Sequence, residues 1–483
     1  MISFESISPV QAGISSKRIL SFIDRLEKKQ VPMHSFQLLY KDRLLAEGYY
    51  APYQKDTLHR MFSISKSITA LAIGFLEQEG KLSLNDRIID HFPDMVPDDP
   101  HPWLCEMTIQ NMLMMRTCHA STTYKIDMTK NWVQSFFTTA PSHPAGQIFH
   151  YDTSAAHVLC ALVERLSGKP IWDYFREKTA ALGLSKESYF LKDPFGVSLG
   201  GSGLVCPPGD LLKIAYFMEH KGILDGKVIL NPTYIETATS LLTPTCVTAP
   251  LPSEACGYGY QIWQNQRGGY TFYGMGGQLM IFLPKQDLIC ITTADTQGMA
   301  GGNQLIYDAL YEEILPYLGT EKSLDPARES GDFEELSHKL QTLRLAPLTG
   351  IEKTGFPGAS RSYLLSENPQ GFTRLDLSFL PGEASQPKGK MLLFQDQVPW
   401  ELEFGFGHMV TGIFPKYEQK YAASAAWLDA ETLYVRFHVI DAYVGSVHVE
   451  MHFDGEQVTL FLKKQEESLF QEFRGHLTGR EIK

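Results

Sequence analysis

Residues 60–69 read RMFSISKSIT, and the run continues through ALAIGFLEQEG to Gly80. Ile68, Leu71, Ala72, Phe75 and Leu76 recur at three- and four-residue spacing, which predicts an amphipathic helix ended by Gly80. Ser63 and Lys66 lie three apart, so on a helix their side chains share one face about a turn apart, within reach of a hydroxyl–amine contact. One reading is a nucleophile beside a base. Another is that the serine caps the helix while the lysine extends from an apolar surface to water. The pattern S-x-x-K is short, and it recurs at Ser385 to Lys388 inside LPGEASQPKGK, where Gly and Pro argue against a helix. Discrimination has to come from the rest of the chain.

At 483 residues the chain exceeds one ordinary core, and about two or three domains are expected. A 43% hydrophobic and 20% charged composition marks it as globular. The net charge of -12, without a long Lys/Arg run, removes the electrostatic term that drives nucleic-acid binding. The first twenty residues lack a basic segment followed by an apolar one, and no later stretch approaches the roughly 20 apolar residues of a membrane span. We therefore read a soluble, cytoplasmic protein with neither a nucleic-acid nor a membrane partner. Cysteines 105, 118, 160, 206, 246, 256 and 290 are scattered and never form C-x-x-C, as expected of reduced structural thiols. His143, His150 and His157 are seven apart and match no metal-ligand spacing, so neither metal nor cofactor is expected.

KRILSFIDRLEKK (17–29) predicts an amphipathic helix, and SFQLLYKDRLLAEGYY two strands around a turn at Lys41 and Asp42. Further strands are predicted near 270–273, 278–283 and 287–293, and a helix in NQLIYDALYEEILPYLG closes this unit near 319. The economical arrangement is one antiparallel sheet built from both ends of a domain (1–320), flanked by helices, with a large helical insertion between: an α/β (α+β) class. A charged, Gly/Pro-punctuated linker with a short helix follows (321–344). From 345 to 483, segments such as FTRLDLSFL, KMLLFQ, PWELEFG, TLYVRFHVI, VGSVHVEMHF and QVTLFLKK predict an all-β domain, barrel or sandwich.

Two more stretches carry chemistry. In FHYDTSAAHVLCALVERLSG (149–168), Tyr151 precedes a predicted helix that Asp152, Thr153 or Ser154 would cap. Its phenol beside a lysine is an acid or a base. In YGMGGQ (273–278), glycines at a strand start mark a bulge or a close approach. If that strand lies beside the Ser63 helix, the N–H groups of Ser63 and Met275 would form an oxyanion hole.

Taken together, FSISKSIT, EGKLSLNDRIIDHFP, FHYDTSAAHVLCALVERLSGKPIWDYF, GGSGLVCPPGDLLKIAYFMEHKGIL and YGMGGQLMIFLP resemble, in the expected order over residues 10 to 319, the serine β-lactamase/penicillin-binding-protein superfamily. The resemblance is to its class C-like branch of esterases, D-amino-acid peptidases and 6-aminohexanoate-dimer hydrolases. It implies a β-lactamase/DD-peptidase-like fold, an acylated nucleophile at Ser63, its partner at Lys66 and the Y-x-N tyrosine at Tyr151. Gly274, Gly277 and Gln278 fall on the G-x-x-G-Q stretch of the dimer-hydrolase-like members, with Met275 as second oxyanion donor. Thr153 stands where the family carries Asn, and Phe272 where it carries the K-T-G lysine or a histidine. The implied pocket is one without a cation, favouring uncharged acyl groups over β-lactams. GGSGL (200–204) fails G-x-S-x-G because Leu204 takes the last position, and is read as an active-site wall.

The expected function is hydrolysis of a small ester, amide or short peptide through an acyl-enzyme, with Lys66 and Tyr151 as a coupled pair whose primary base stays open. The alternative is a catalytically weak ligand-binding or sensor protein. The β-domain is open to a role as lid, signalling module or dimerisation surface, leaving homo-oligomerisation as one outcome.

Overall fold

The computed structural model describes residues 2–321, 326–353, 360–380, 387–440 and 442–482. Both ends of the N-terminal unit build one six-stranded sheet, in the order Arg43–Tyr49, Met33–Tyr40, Leu288–Ala294, Gln278–Leu283, Tyr270–Gly274, Trp263–Gln264. Every pairing in it is antiparallel. Lys41 and Asp42 both take positive φ, 49° and 60°, the geometry of a two-residue hairpin turn.

Side chains alternate across this sheet and so feed two cores. Phe36, Leu38, Leu279, Ile281 and Cys290 face the terminal helices Ser16–Lys28 and Gln304–Ala309. Leu39, Met280, Phe282, Ile289 and Ile291 face the helical insertion.

The helix predicted from residue 63 runs Ile64–Gln78, and Gly80 leaves it at φ 69°. It is not amphipathic. Every residue from Ile64 to Leu76 is buried, because helices Thr153–Ser167, Ile171–Lys178 and Pro232–Ala238 and the strand Tyr270–Gly274 surround it. Its polar residues are satisfied locally: Ser67 Oγ donates to the Gln261 carbonyl at 2.8 Å and Thr69 Oγ1 to that of Gly200 at 3.0 Å.

The segment expected as a linker holds a 17-residue helix, Pro326–Thr342, docked on the first unit. Leu336 enters the same core as Phe22, and Lys339 reaches Glu27 at 2.6 Å. Beyond it the β-domain is a barrel. Among the described residues nine strands close a ring, the seam made by a short parallel contact of Gly405 and Phe406 with Ser424 and Ala425, while Val410–Ile413 borders the rest of that seam. Large side chains such as Phe372, Trp400, Phe404, Phe437 and Phe473 fill its interior. The barrel meets the first unit where Ala422 packs on Tyr53 and Leu345, and Tyr53 Oη donates to the Val439 carbonyl at 3.1 Å. Ser385 of the second S-x-x-K lies outside the described residues, and Lys388 opens a strand, Lys388–Gln395. Among the described residues no helix is long and apolar enough to cross a membrane.

Candidate active site

Ser63 sits at the entry of the buried helix without acting as its cap, since its hydroxyl accepts no backbone N–H there. The preceding chain is held rigidly. The strand His59–Arg60 pairs with Leu204–Cys206, Met61 N donates to the Leu204 carbonyl at 2.8 Å, and Leu204 N donates to Ser65 Oγ at 2.9 Å. Phe62 takes φ 45°, a left-handed conformation that is strained for a bulky residue and turns the chain sharply just before the serine.

Lys66 is 1% exposed. Its Nζ lies 2.9 Å from Ser63 Oγ and donates to the Gly201 carbonyl at 2.7 Å, so GGSGL does form the wall behind the lysine. Burial is the main cause that pulls the Lys66 ammonium down to about 7. The anions Glu467 and Asp152 oppose it and the cation Lys125 adds to it. At Gly201 a Cβ would lie 2.5 Å from Thr153 Cγ2 and 3.5 Å from Lys66 Nζ, so glycine is needed there for the close approach.

Tyr151 precedes the helix Thr153–Ser167, which Asp152 caps by accepting from Ser154 N at 2.8 Å. The ring is flanked by Tyr258 and Trp263, and Lys66 Nζ stands 4.8 Å from its centre. Burial pushes the phenol above its ordinary value; the neighbouring Ser63 hydroxyl works against that rise, and the charge of Glu254 adds to it.

Gly274 brings the third stretch to the nucleophile: a Cβ there would lie 2.5 Å from the Met61 carbonyl, so the two backbones touch just before Ser63. The turn Met275–Gly277 follows, with φ 79° at Gly276 and 95° at Gly277. Among the described residues, neither the Ser63 N–H nor the Met275 N–H has a backbone carbonyl partner, as an oxyanion hole requires.

Ser63, Lys66, Tyr151, Thr153 and Met275 all line one cavity of about 860 Å³. Gly274, Gly277 and Gln278, expected at the substrate, lie behind its wall. Gln278 is fully buried, its amide donating to the carbonyls of Met275 at 2.7 Å and Ala294 at 3.1 Å and accepting from Ala294 N at 3.0 Å. It stitches the turn to the neighbouring strand.

Phe272 does not face the cavity either. It pairs with Met280, packs on Phe282 and is wholly buried, so strand alternation gives the cavity position to Tyr273. Nor is the cavity without a cation, because Lys125 lines it from the short turn Thr123–Lys125. Glu254, which accepts from Tyr273 Oη, and Glu467 of the barrel complete a charged lining that sequence reasoning missed.

A serine beside a buried lysine, with a tyrosine next to them and a glycine turn on the same cavity, set between a helix cluster and an antiparallel sheet, is the arrangement of a hydrolase of the serine β-lactamase superfamily. The chain belongs to the beta-lactamase family, which matches it over residues 21–311. It is similar to the 6-aminohexanoate-dimer hydrolase of Paenarthrobacter ureafaciens, 23% identical over an alignment 281 residues long that covers 53% of this chain and 71% of that protein. Among solved structures it is similar to a Bacillus anthracis protein assigned as a 6-aminohexanoate-dimer hydrolase, with 17% identity and TM-score 0.53 over 71% of this chain and 89% of the other. It is also similar to a penicillin-binding protein homolog from Caulobacter crescentus, with 17% identity and TM-score 0.50 over 62% of this chain and 98% of the other. At those identities the structural likeness is one of fold.

Proposed function

We propose that the protein hydrolyses a small amide or ester through a covalent acyl-enzyme on Ser63. The observation that carries this reading is the buried Lys66 amine, 2.9 Å from Ser63 Oγ and drawn down to about 7, where a large fraction holds a free lone pair at neutral pH. Lys66 takes the Ser63 proton as Oγ attacks the substrate carbonyl, and the N–H groups of Ser63 and Met275 receive the developing oxyanion. Tyr151, held protonated by burial, gives its proton to the leaving nitrogen or oxygen, so Lys66 is the base of acylation and Tyr151 the acid. Water then enters, loses a proton to the same pair and releases the acid. Kinship with a 6-aminohexanoate-dimer hydrolase favours an amide, and the charged lining favours a charged substrate over the uncharged one expected from Phe272.

The test is fluorophosphonate labelling mapped to the Ser63 peptide, run beside turnover of p-nitrophenyl esters, D-amino-acid amides, short ω-amino-acid oligomers and nitrocefin. Turnover abolished in Ser63→Ala is expected; equal turnover in that variant would overturn the reading. Labelling of Ser63 without turnover of any substrate would identify a ligand-binding protein instead.

A further inference from the structure

Among the described residues, the barrel contributes Gln465 and Glu467 to the cavity that holds Ser63. They stand on the turn after the strand Gln457–Lys464, and this turn is fixed from inside. Glu466 is buried, 3.8 Å from the equally buried Lys464 ammonium. Its carboxylate accepts from Ser468 N at 2.8 and 2.9 Å and from Leu469 N, while Gln465 N donates to the Ser446 carbonyl at 2.8 Å. With Glu466 held inward, Glu467 is the acid the turn presents to the cavity.

Glu467 lies 3.5 Å from the guanidinium of Arg60, three residues before Ser63. Arg60 is 3% exposed and donates Nε to the Ser202 carbonyl at 3.0 Å. If Glu467 served only to neutralise Arg60 and fasten the barrel, its carboxylate would be enclosed by the pair. Instead its side chain keeps 41% of its surface exposed, and the residue lines the cavity. Of the charges acting on Lys66, that of Glu467 is the strongest, so it sits where a substrate beside Ser63 would feel it. The other acid on the wall, Glu254, is already engaged by Tyr273.

Resting on the hydrolase reading above, we propose that Glu467 is a specificity-determining residue that receives the free ammonium group of an amino-bearing amide or ester, so that the barrel selects what the N-terminal unit cleaves. The interaction is a charge-assisted hydrogen bond formed on the open side of the carboxylate, with Arg60 holding the other side. An amine-bearing substrate is thereby favoured over its neutral analogue, and the preference weakens as salt is raised.

Calorimetric binding to Ser63→Ala separates recognition from chemistry, using 6-aminohexanoyl-p-nitroanilide and its N-acetyl counterpart as probes. The expected result is a preference of about tenfold or more for the free amine. Glu467→Gln in that background brings the two affinities within about twofold, and Glu467→Lys favours the N-succinyl anilide, whose terminus is a carboxylate. A preference that persists in Glu467→Gln, or the absence of any preference in the Ser63→Ala parent, overturns the proposal. Should the double variants not fold, the salt dependence of the parent's preference decides: a salt-independent preference also overturns it. Hydrolase failure reads differently, as selective amine binding with no turnover of p-nitrophenyl acetate by the unaltered protein.

Discussion

In the proposed mechanism, the pH dependence of Ser63 acylation reports the state of Lys66. An ordinary lysine, at 10.5, would be neutral in only about three molecules in ten thousand at pH 7, whereas at about 7 roughly half are neutral. Burial thus raises the available base about a thousandfold, a difference of about 4 kcal/mol at 1.4 kcal/mol per factor of ten. The sign is fixed by the role. Below about pH 7 the amine carries a proton and cannot accept another, so the rate should fall tenfold per pH unit; above it the rate should plateau, because Tyr151 stays protonated. The assay is the second-order rate of fluorophosphonate labelling of Ser63 across pH, which needs no leaving-group protonation by a second substrate step. Lys125→Ala removes a cation that depresses Lys66, and should move the inflection to higher pH. A profile flat from mildly acidic to mildly alkaline pH, or a rising limb near 10.5, would refute a neutral Lys66 as the base.

Ser63→Ala should melt close to the unaltered protein, since the hydroxyl caps nothing, while turnover disappears; thermal melts beside a p-nitrophenyl acetate assay check both. Tyr151→Phe should lower kcat on an amide by about 10²–10⁴-fold and leave fluorophosphonate labelling much less affected, because fluoride departs without a proton. Gly74→Ala should cost about 1–3 kcal/mol in denaturant unfolding, as the new methyl would lie 2.5 Å from the Tyr234 ring, whose hydroxyl is tied to the Ala70 carbonyl at 2.6 Å.

Local patterns made much of this protein legible. S-x-x-K, the tyrosine before a helix and the glycine turn each depend on neighbours within a few residues, and the structure places Ser63, Lys66, Tyr151 and Met275 on one cavity. The mixed α/β class with its sheet drawn from both ends was equally readable, because hairpin turns and strand alternation are short-range signals. Phe272 was misplaced because which face of a strand meets a cavity is decided by one residue of register. The Ser63 helix looked amphipathic because spacing shows where apolar residues fall, not how many neighbours will cover the remaining face. The barrel strand Lys420–Trp427, KYAASAAW, gave no strand signal: alanine has little β-propensity, yet small side chains let this strand approach Tyr53 and Leu345. Lys125, Glu254 and Glu467 carry no motif at all, since their partnership exists only through space.

The cluster of Ala422, Tyr53 and Leu345 joins two bodies that each own a separate core. A contact of this kind can part while both cores remain intact. Glu467 would withdraw with the barrel, whereas Ser63, Lys66 and Tyr151 all belong to the other body and would stay assembled. Warming should therefore first turn a discriminating catalyst into an indiscriminate one, and destroy the catalyst only later.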